Sequence, residues 1–190
     1  MGAARIAPTE YRALDLRAHA LLADVPLHDV WAIDLAGPPG RTMLDLKRIL
    51  EGARLGEANA AVKALFAFRW WLGRVLGWDR ERPGDGGDSF LHRLTAEDRE
   101  RSLVPPGTRE GPFRVLYVSP REAISEIRNA TVHGFSVFAL EERPPGYRLY
   151  WAIHVRPVGA ITRAYMLLID PFRRFIVYPA VLRRIQEAWR

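Results

Sequence analysis

Apolar and polar positions alternate with a period of two in some stretches of this chain and with a helical period in others. In His28-Asp-Val-Trp-Ala-Ile-Asp-Leu-Ala36, the side chains of Trp31, Ile33 and Leu35 share one side, with Ala32 and Asp34 on the other. That is the spacing of a strand. Gly37-Pro-Pro-Gly40 ends it. Four more strands are expected over 113–119, 123–128, 131–142 and 147–158, with Arg143-Pro-Pro-Gly146 as a hairpin turn between the last two. Consecutive strands joined by short turns make an antiparallel meander. Gly134 inside a strand predicts a bulge or a sharp bend.

Helical spacing predicts a short N-terminal helix over 10–22, closed by Pro26. Thr42-Met-Leu-Asp45 opens a second helix: the Thr42 hydroxyl can cap it, Asp45 suits its N-terminus, and Gly52 ends it. A third helix is expected over 57–76, with Val62, Leu65, Phe66, Leu72, Val75 and Leu76 on its apolar side and Gly77 just beyond it. The stretch 79–112 reads as a long loop region. Its glycine-rich Arg82-Pro-Gly-Asp-Gly-Gly-Asp88 lacks the Gly-Lys-Ser/Thr ending and preceding strand of a phosphate loop.

After Gly159 the helical period returns, with Ile161, Ala164, Tyr165 and Leu168 on one face. Asp170-Pro171 predicts a break or kink, and Pro179 a second kink. Phe172, Phe175, Ile176, Val181, Leu182, Ile185 and Trp189 supply the apolar face beyond. Phe172, Phe175 and Ile176 are expected to pack on the concave face of the sheet, with Arg173 and Arg174 pointing sideways or outward.

The element order predicts an α+β fold in which a strongly curved antiparallel sheet wraps a long, kinked C-terminal helix. Residues 1–27 form a leader and 28–190 a single domain. A sheet closing on a helix often leaves a cavity between them.

Composition narrows the chemistry. Across 190 residues there is no cysteine, which excludes disulfides, thiolate metal sites and cysteine catalysis. This suits a reducing compartment, and a cytoplasmic location is expected. Charges at Arg5, Glu10, Arg12, Asp15 and Arg17 interrupt the N-terminal apolar runs, so no signal peptide is expected there. Without a stretch of about 18 apolar residues, no membrane span is expected either. The net charge is +6, carried almost wholly by arginines scattered along the chain. That scatter predicts a solvated basic surface, with no nucleic-acid partner.

His19, His28, His92, His133 and His154 show no zinc-binding spacing, so neither metal nor cofactor is expected. His133 and His154 fall on neighbouring strands, and with Glu126 they are the candidate acid–base residues. Each also reads as a hydrogen-bonded strand residue. Trp70, Tyr150, Trp151 and Tyr165 belong to an aromatic set that serves either as core or as the wall of a ligand cavity. No nucleophile elbow, dinucleotide fingerprint or kinase motif is present.

Glu126-Ile-Arg-Asn-Ala-Thr-Val-His-Gly134, Gly159-Ala-Ile-Thr-Arg-Ala-Tyr165 and Asp170-Pro-Phe-Arg-Arg-Phe-Ile-Val177 resemble the bacterial family called domain of unknown function 2867. Val75-Leu-Gly-Trp78 and Phe113-Arg-Val-Leu-Tyr117 fit it too, and the likeness spans roughly residues 28–188. Arg173 stands where many members carry histidine. The resemblance implies the helix-grip fold of START-like (SRPBCC) domains and no assigned activity.

The leading expectation is a protein that binds a small hydrophobic or aromatic molecule in a sheet–helix cavity. One alternative is a cyclase- or hydratase-like enzyme using Glu126, His133 or His154. Another is an interaction module whose C-terminal helix presents Arg173, Arg174, Arg183, Arg184 and Arg190 to an acidic partner or anionic membrane.

Overall fold

The structure is a computed structural model that describes residues 2–52 and 89–189. The expected helix over 57–76 with Gly77, the run Arg69-Trp70-Trp71, residues 79–88 of the loop region, and Arg190 lie outside the described residues.

Among the described residues, seven strands form one antiparallel sheet. They are β1 (Ala4–Arg5), β2 (Leu27–Ala36), β3 (Arg109–Glu110), β4 (Phe113–Val118), β5 (Glu122–Arg128), β6 (His133–Arg143) and β7 (Gly146–Arg156). Their order across the sheet is β1-β2-β7-β6-β5-β4-β3. The long strands lie where the alternation places them, and Pro144-Pro145 alone turn β6 into β7, since Arg143 pairs with Gly146. Gly146 is required by close approach: a Cβ there would sit 2.2 Å from the Leu35 carbonyl oxygen of β2. The expected bulge at Gly134 is absent. Gly134 pairs regularly with Ile127 and Val155, and a Cβ would instead press on the Ile127 side chain at 3.3 Å. The register shifts fall between Leu27 and Asp29 and between Val115 and Tyr117.

The strands bury both faces, as strands that are apolar at both parities require. On one face Ile33, Leu35, Leu140 and Leu149 meet Met43 and Leu46 of α3 (Met43–Gly52) and Leu182, Ile185 and Trp189 of the C-terminal helix. On the other face Val30, Ala32, Phe135 and Ala152 meet Tyr11, Leu21, Leu22 and Val25 from the N-terminal segment, with Phe90 and Leu94. Burying each such aliphatic side chain contributes roughly 1.5–3 kcal/mol, so the N-terminal segment is part of the core.

That segment holds two short helices, α1 (Pro8–Arg12) and α2 (Arg17–Leu21), where one over 10–22 was expected. The restart has a cause. The buried Glu122 carboxylate accepts the backbone N–H groups of Arg17 (2.9 Å) and Ala18 (3.2 Å), satisfying donors that a helix start leaves free. Asp98 in α4 (Ala96–Glu100) then clamps the Arg17 side chain at 2.8 Å. At α3, Asp45 reaches back to accept the Thr42 backbone N–H at 2.8 Å. The Thr42 hydroxyl points to that carboxylate rather than capping the helix.

The C-terminal helix departs most from expectation. Asp170-Pro171 does not interrupt it. α5 (Ala160–Phe172) contains Pro171 and passes through a π-helical turn (Arg173–Val177) into α6 (Tyr178–Trp189). Proline lacks the N–H for the carbonyl one turn back, and the wider turn that follows takes up the mismatch. This winding also overturns the expected facing. Phe175 does not pack on the sheet; it is 81 % exposed, while Phe172 and Ile176 are half-buried. Arg173 turns inward and Tyr178 is buried. On α5 the buried residues are Thr162, Tyr165 and Met166, whereas Ile161, Ala164 and Leu168 face out.

Candidate functional site

Three polar clusters stand inside this apolar frame, and the alternation of β5, β6 and β7 sets the first two on the face covered by the N-terminal segment. In the first, Glu126 of β5 and His133 of β6 touch: His133 Nε2 donates to Glu126 Oε2 at 3.1 Å, and both are buried. The same carboxylate accepts the Ser89 hydroxyl and, at 3.1 Å, the Phe90 backbone N–H. Burial pushes the Glu126 carboxyl up, but the hydrogen bonds from His133, Ser89 and Phe90 outweigh it and hold it below the ordinary carboxylate range. Phe90 packs edge-on against His133 and beside Phe135. This pair fastens the chain at Ser89 and Phe90 to the sheet.

The resemblance-bearing residues around it also do structural work. The Asn129 side chain accepts the N–H groups of Thr131 (2.9 Å) and Val132 (3.1 Å), closing the turn into β6. Thr162 of α5 donates to the Thr131 carbonyl at 2.7 Å, seating the C-terminal helix on that turn.

His154 stands apart from the Glu126–His133 pair. In the sheet it lies opposite Phe135, which in turn lies opposite Glu126. Its Nδ1 bonds the Val25 carbonyl at 3.1 Å, and its Nε2 faces the Tyr11 hydroxyl at 3.5 Å. A carbonyl only accepts, so Nδ1 carries the proton and Nε2 presents a lone pair. Burial, helped by nearby His19 and Arg12, lowers the His154 pKa from its ordinary 6.5 against the Val25 hydrogen bond. Burial and the Glu122 charge push the Tyr11 phenol well above its usual range, so it remains a hydroxyl. His19 packs edge-on against Tyr11 at 4.9 Å, and its Nε2 is buried without a hydrogen-bond partner among the described residues.

These three rings border a cavity of about 480 Å³, open to solvent, between the N-terminal segment and the sheet. Leu22, Ala23, Val25, Pro26 and Leu27 form its apolar wall, and Arg12 and Asp24 also border it. Among the described residues the sequence signalled only His154 here. Tyr11 and His19 lie in the leader, whose place over the sheet is set by long-range packing.

The third cluster joins the sheet to the C-terminal helix. The irregularity in β2 lets His28 and Asp29 reach that helix together. His28 Nε2 meets the Asp170 carboxylate at 2.8 Å. Arg173 contacts Asp170 at 3.1 Å and Asp29 at 3.5 Å. Tyr178 donates to Asp29 at 3.0 Å and also meets Arg173. His28, Asp29 and Asp170 bring ligand-type atoms within 4.8 Å of one another, and the cation among them is the Arg173 guanidinium. Asp29 shares its inward parity with Trp31 and Ile33, a signal legible in the alternation.

Of the aromatic candidates, Trp151 stacks on Phe138 at 5.1 Å, meets Tyr178 edge-on, and donates to Ser136 at 2.9 Å. Tyr150 is buried on the opposite face, its hydroxyl bonded to Glu141 at 2.8 Å. Tyr165 is buried with Val132, Val155 and Met166. None of these three borders the cavity, and Trp70 lies outside the described residues.

The geometry defines an α+β protein with a curved seven-stranded antiparallel sheet, a C-terminal helix on one face and a small cavity on the other. A family model described as protein of unknown function (DUF2867) matches residues 21–180, and the chain belongs to that family. No curated protein and no solved structure matches it. No helix among the described residues is long and apolar enough to cross a membrane.

Proposed function

We propose that this chain is a small-molecule-binding protein of the helix-grip type. The antiparallel meander and the C-terminal helix across it support the fold assignment. The binding reading rests on the cavity of about 480 Å³ bordered by Tyr11, His19 and His154, a size that suits a small organic ligand. Its wall favours an aliphatic or aromatic body. Its polar lining includes a phenol hydroxyl and imidazole nitrogens, with Arg12 and Asp24 beside them, which favour a ligand carrying a hydroxyl or carboxyl group. The neutral His154, oriented by Val25, is also the group a proton-abstracting enzyme would place there, whereas Glu126 and His133 are committed to fastening Ser89 and Phe90.

Side-chain imidazole NMR, recorded while small aromatic and aliphatic alcohols and acids are added, tests the binding reading. A ligand should move the His154 and His19 signals and leave His133 unmoved. If no compound moves either cavity histidine, the reading fails.

A further inference from the structure

The described chain exposes few large apolar side chains, and they are concentrated. They are Leu103, Ile161, Leu167, Leu168 and Phe175, and only Leu103 lies outside the C-terminal helix. Leu167 is 71 % exposed, Leu168 42 %, Ile161 40 % and Phe175 81 %. At about 100° per residue, Ile161, Ala164, Leu167, Leu168 and Pro171 fall on one side of α5, and all five are exposed. The π turn carries Phe175 out into solvent beyond them. The opposite side of the same helix is already used, because Thr162, Tyr165 and Met166 are buried. A contiguous exposed apolar stripe of this kind marks an interaction surface.

The charge beside the stripe selects the partner. The exposed charge next to it is Arg163 on α5, in a chain whose net charge is +6. The one carboxylate of α5, Asp170, is turned inward onto His28 and Arg173. A second copy of the chain would bring like charges together at this surface. An anionic lipid surface accepts apolar side chains at the acyl boundary and arginines at the headgroups.

We infer that the outer face of α5 and the π turn docks on an anionic membrane surface, with Leu167, Leu168 and Phe175 inserted and Arg163 at the headgroups. The helix lies on the bilayer and does not cross it. This surface is separate from the His154 cavity, so the two readings stand or fall independently.

Sedimentation of the full chain with phosphatidylcholine vesicles, with and without phosphatidylglycerol, tests the inference. Wild type should pellet with the anionic vesicles, less so as salt is raised, and remain in solution with phosphatidylcholine alone. The double variant Leu167→Ser/Phe175→Ser should bind the anionic vesicles about tenfold more weakly or worse, with unchanged thermal unfolding because both side chains are exposed. Arg163→Glu should weaken binding with the stripe left intact. Absence of wild-type pelleting at low salt overturns the inference, as does equal binding by the double variant. Analytical ultracentrifugation that shows a wild-type dimer, lost in the double variant, together with no vesicle binding, would assign the stripe to a second copy instead.

Discussion

Tyr178 donates a 3.0 Å hydrogen bond to the buried Asp29 carboxylate, tying the far half of the C-terminal helix to the first long strand. Arg173 reaches the same oxygen at 3.5 Å. Removing the carboxylate takes the acceptor from the buried Tyr178 phenol and leaves Arg173 with Asp170 as its carboxylate partner. Asp29→Ala should therefore cost roughly 1–3 kcal/mol, the penalty of leaving a buried donor short of its acceptor. Chemical denaturation measures it. A loss under about 1 kcal/mol would mean that the cluster is solvated.

The π turn makes a contrast between two apolar residues of the same helix. Phe175 is exposed and Leu182 fully buried. Phe175→Ala should change stability by less than about 1 kcal/mol, whereas Leu182→Ala should cost about 2–5 kcal/mol. Thermal unfolding of the two variants should separate them clearly. Equal losses would place Phe175 in the core and rule out the winding described.

Glu126 ties stability to acid pH. Its folded-state pKa lies below the ordinary 4.5, so the unfolded chain binds more protons in the interval between the two. Its contribution is full above pH 4.5 and disappears as pH falls through the folded value. The stability advantage of wild type over Glu126→Gln should therefore shrink on acidification below 4.5. An advantage that grows with acid would reverse the assigned role of the His133, Ser89 and Phe90 hydrogen bonds.

His154 acts in a higher window by the same sign. Its folded pKa is below 6.5, so the unfolded state takes up the proton first as pH falls. Wild type should lose stability relative to His154→Gln as pH falls below 6.5, flattening below the folded value. A wild type that gains relative stability across that range would show that the imidazole is charged in the cavity.

The sheet was legible because its signal is local. Alternation placed β2 and the meander of β4 to β7 within a few residues, and Pro144-Pro145 marked the hairpin. Three features were not legible, each for a long-range reason. The break between α1 and α2 depends on Glu122, which is remote in sequence and captures the first N–H groups of α2. The facing of Phe175 depends on a π turn, and helical spacing counted at 3.6 residues per turn misassigns every side chain within it. The cavity joins Tyr11 and His19 to His154 across more than half the chain. Glu126 and His133 lie on paired strands and touch, whereas His154 stands apart; pairing alone carries no information about Ser89 and Phe90, which also bond the Glu126 carboxylate.

Native mass spectrometry of the protein purified from its own host tests small-molecule binding most directly. Wild type should carry a small-molecule adduct. Ala23→Trp, which places a bulky ring at an exposed position bordering the cavity, should remain folded and lose it. A bare wild-type mass, or an adduct that persists undiminished in folded Ala23→Trp, would contradict a ligand site bordered by Tyr11, His19 and His154.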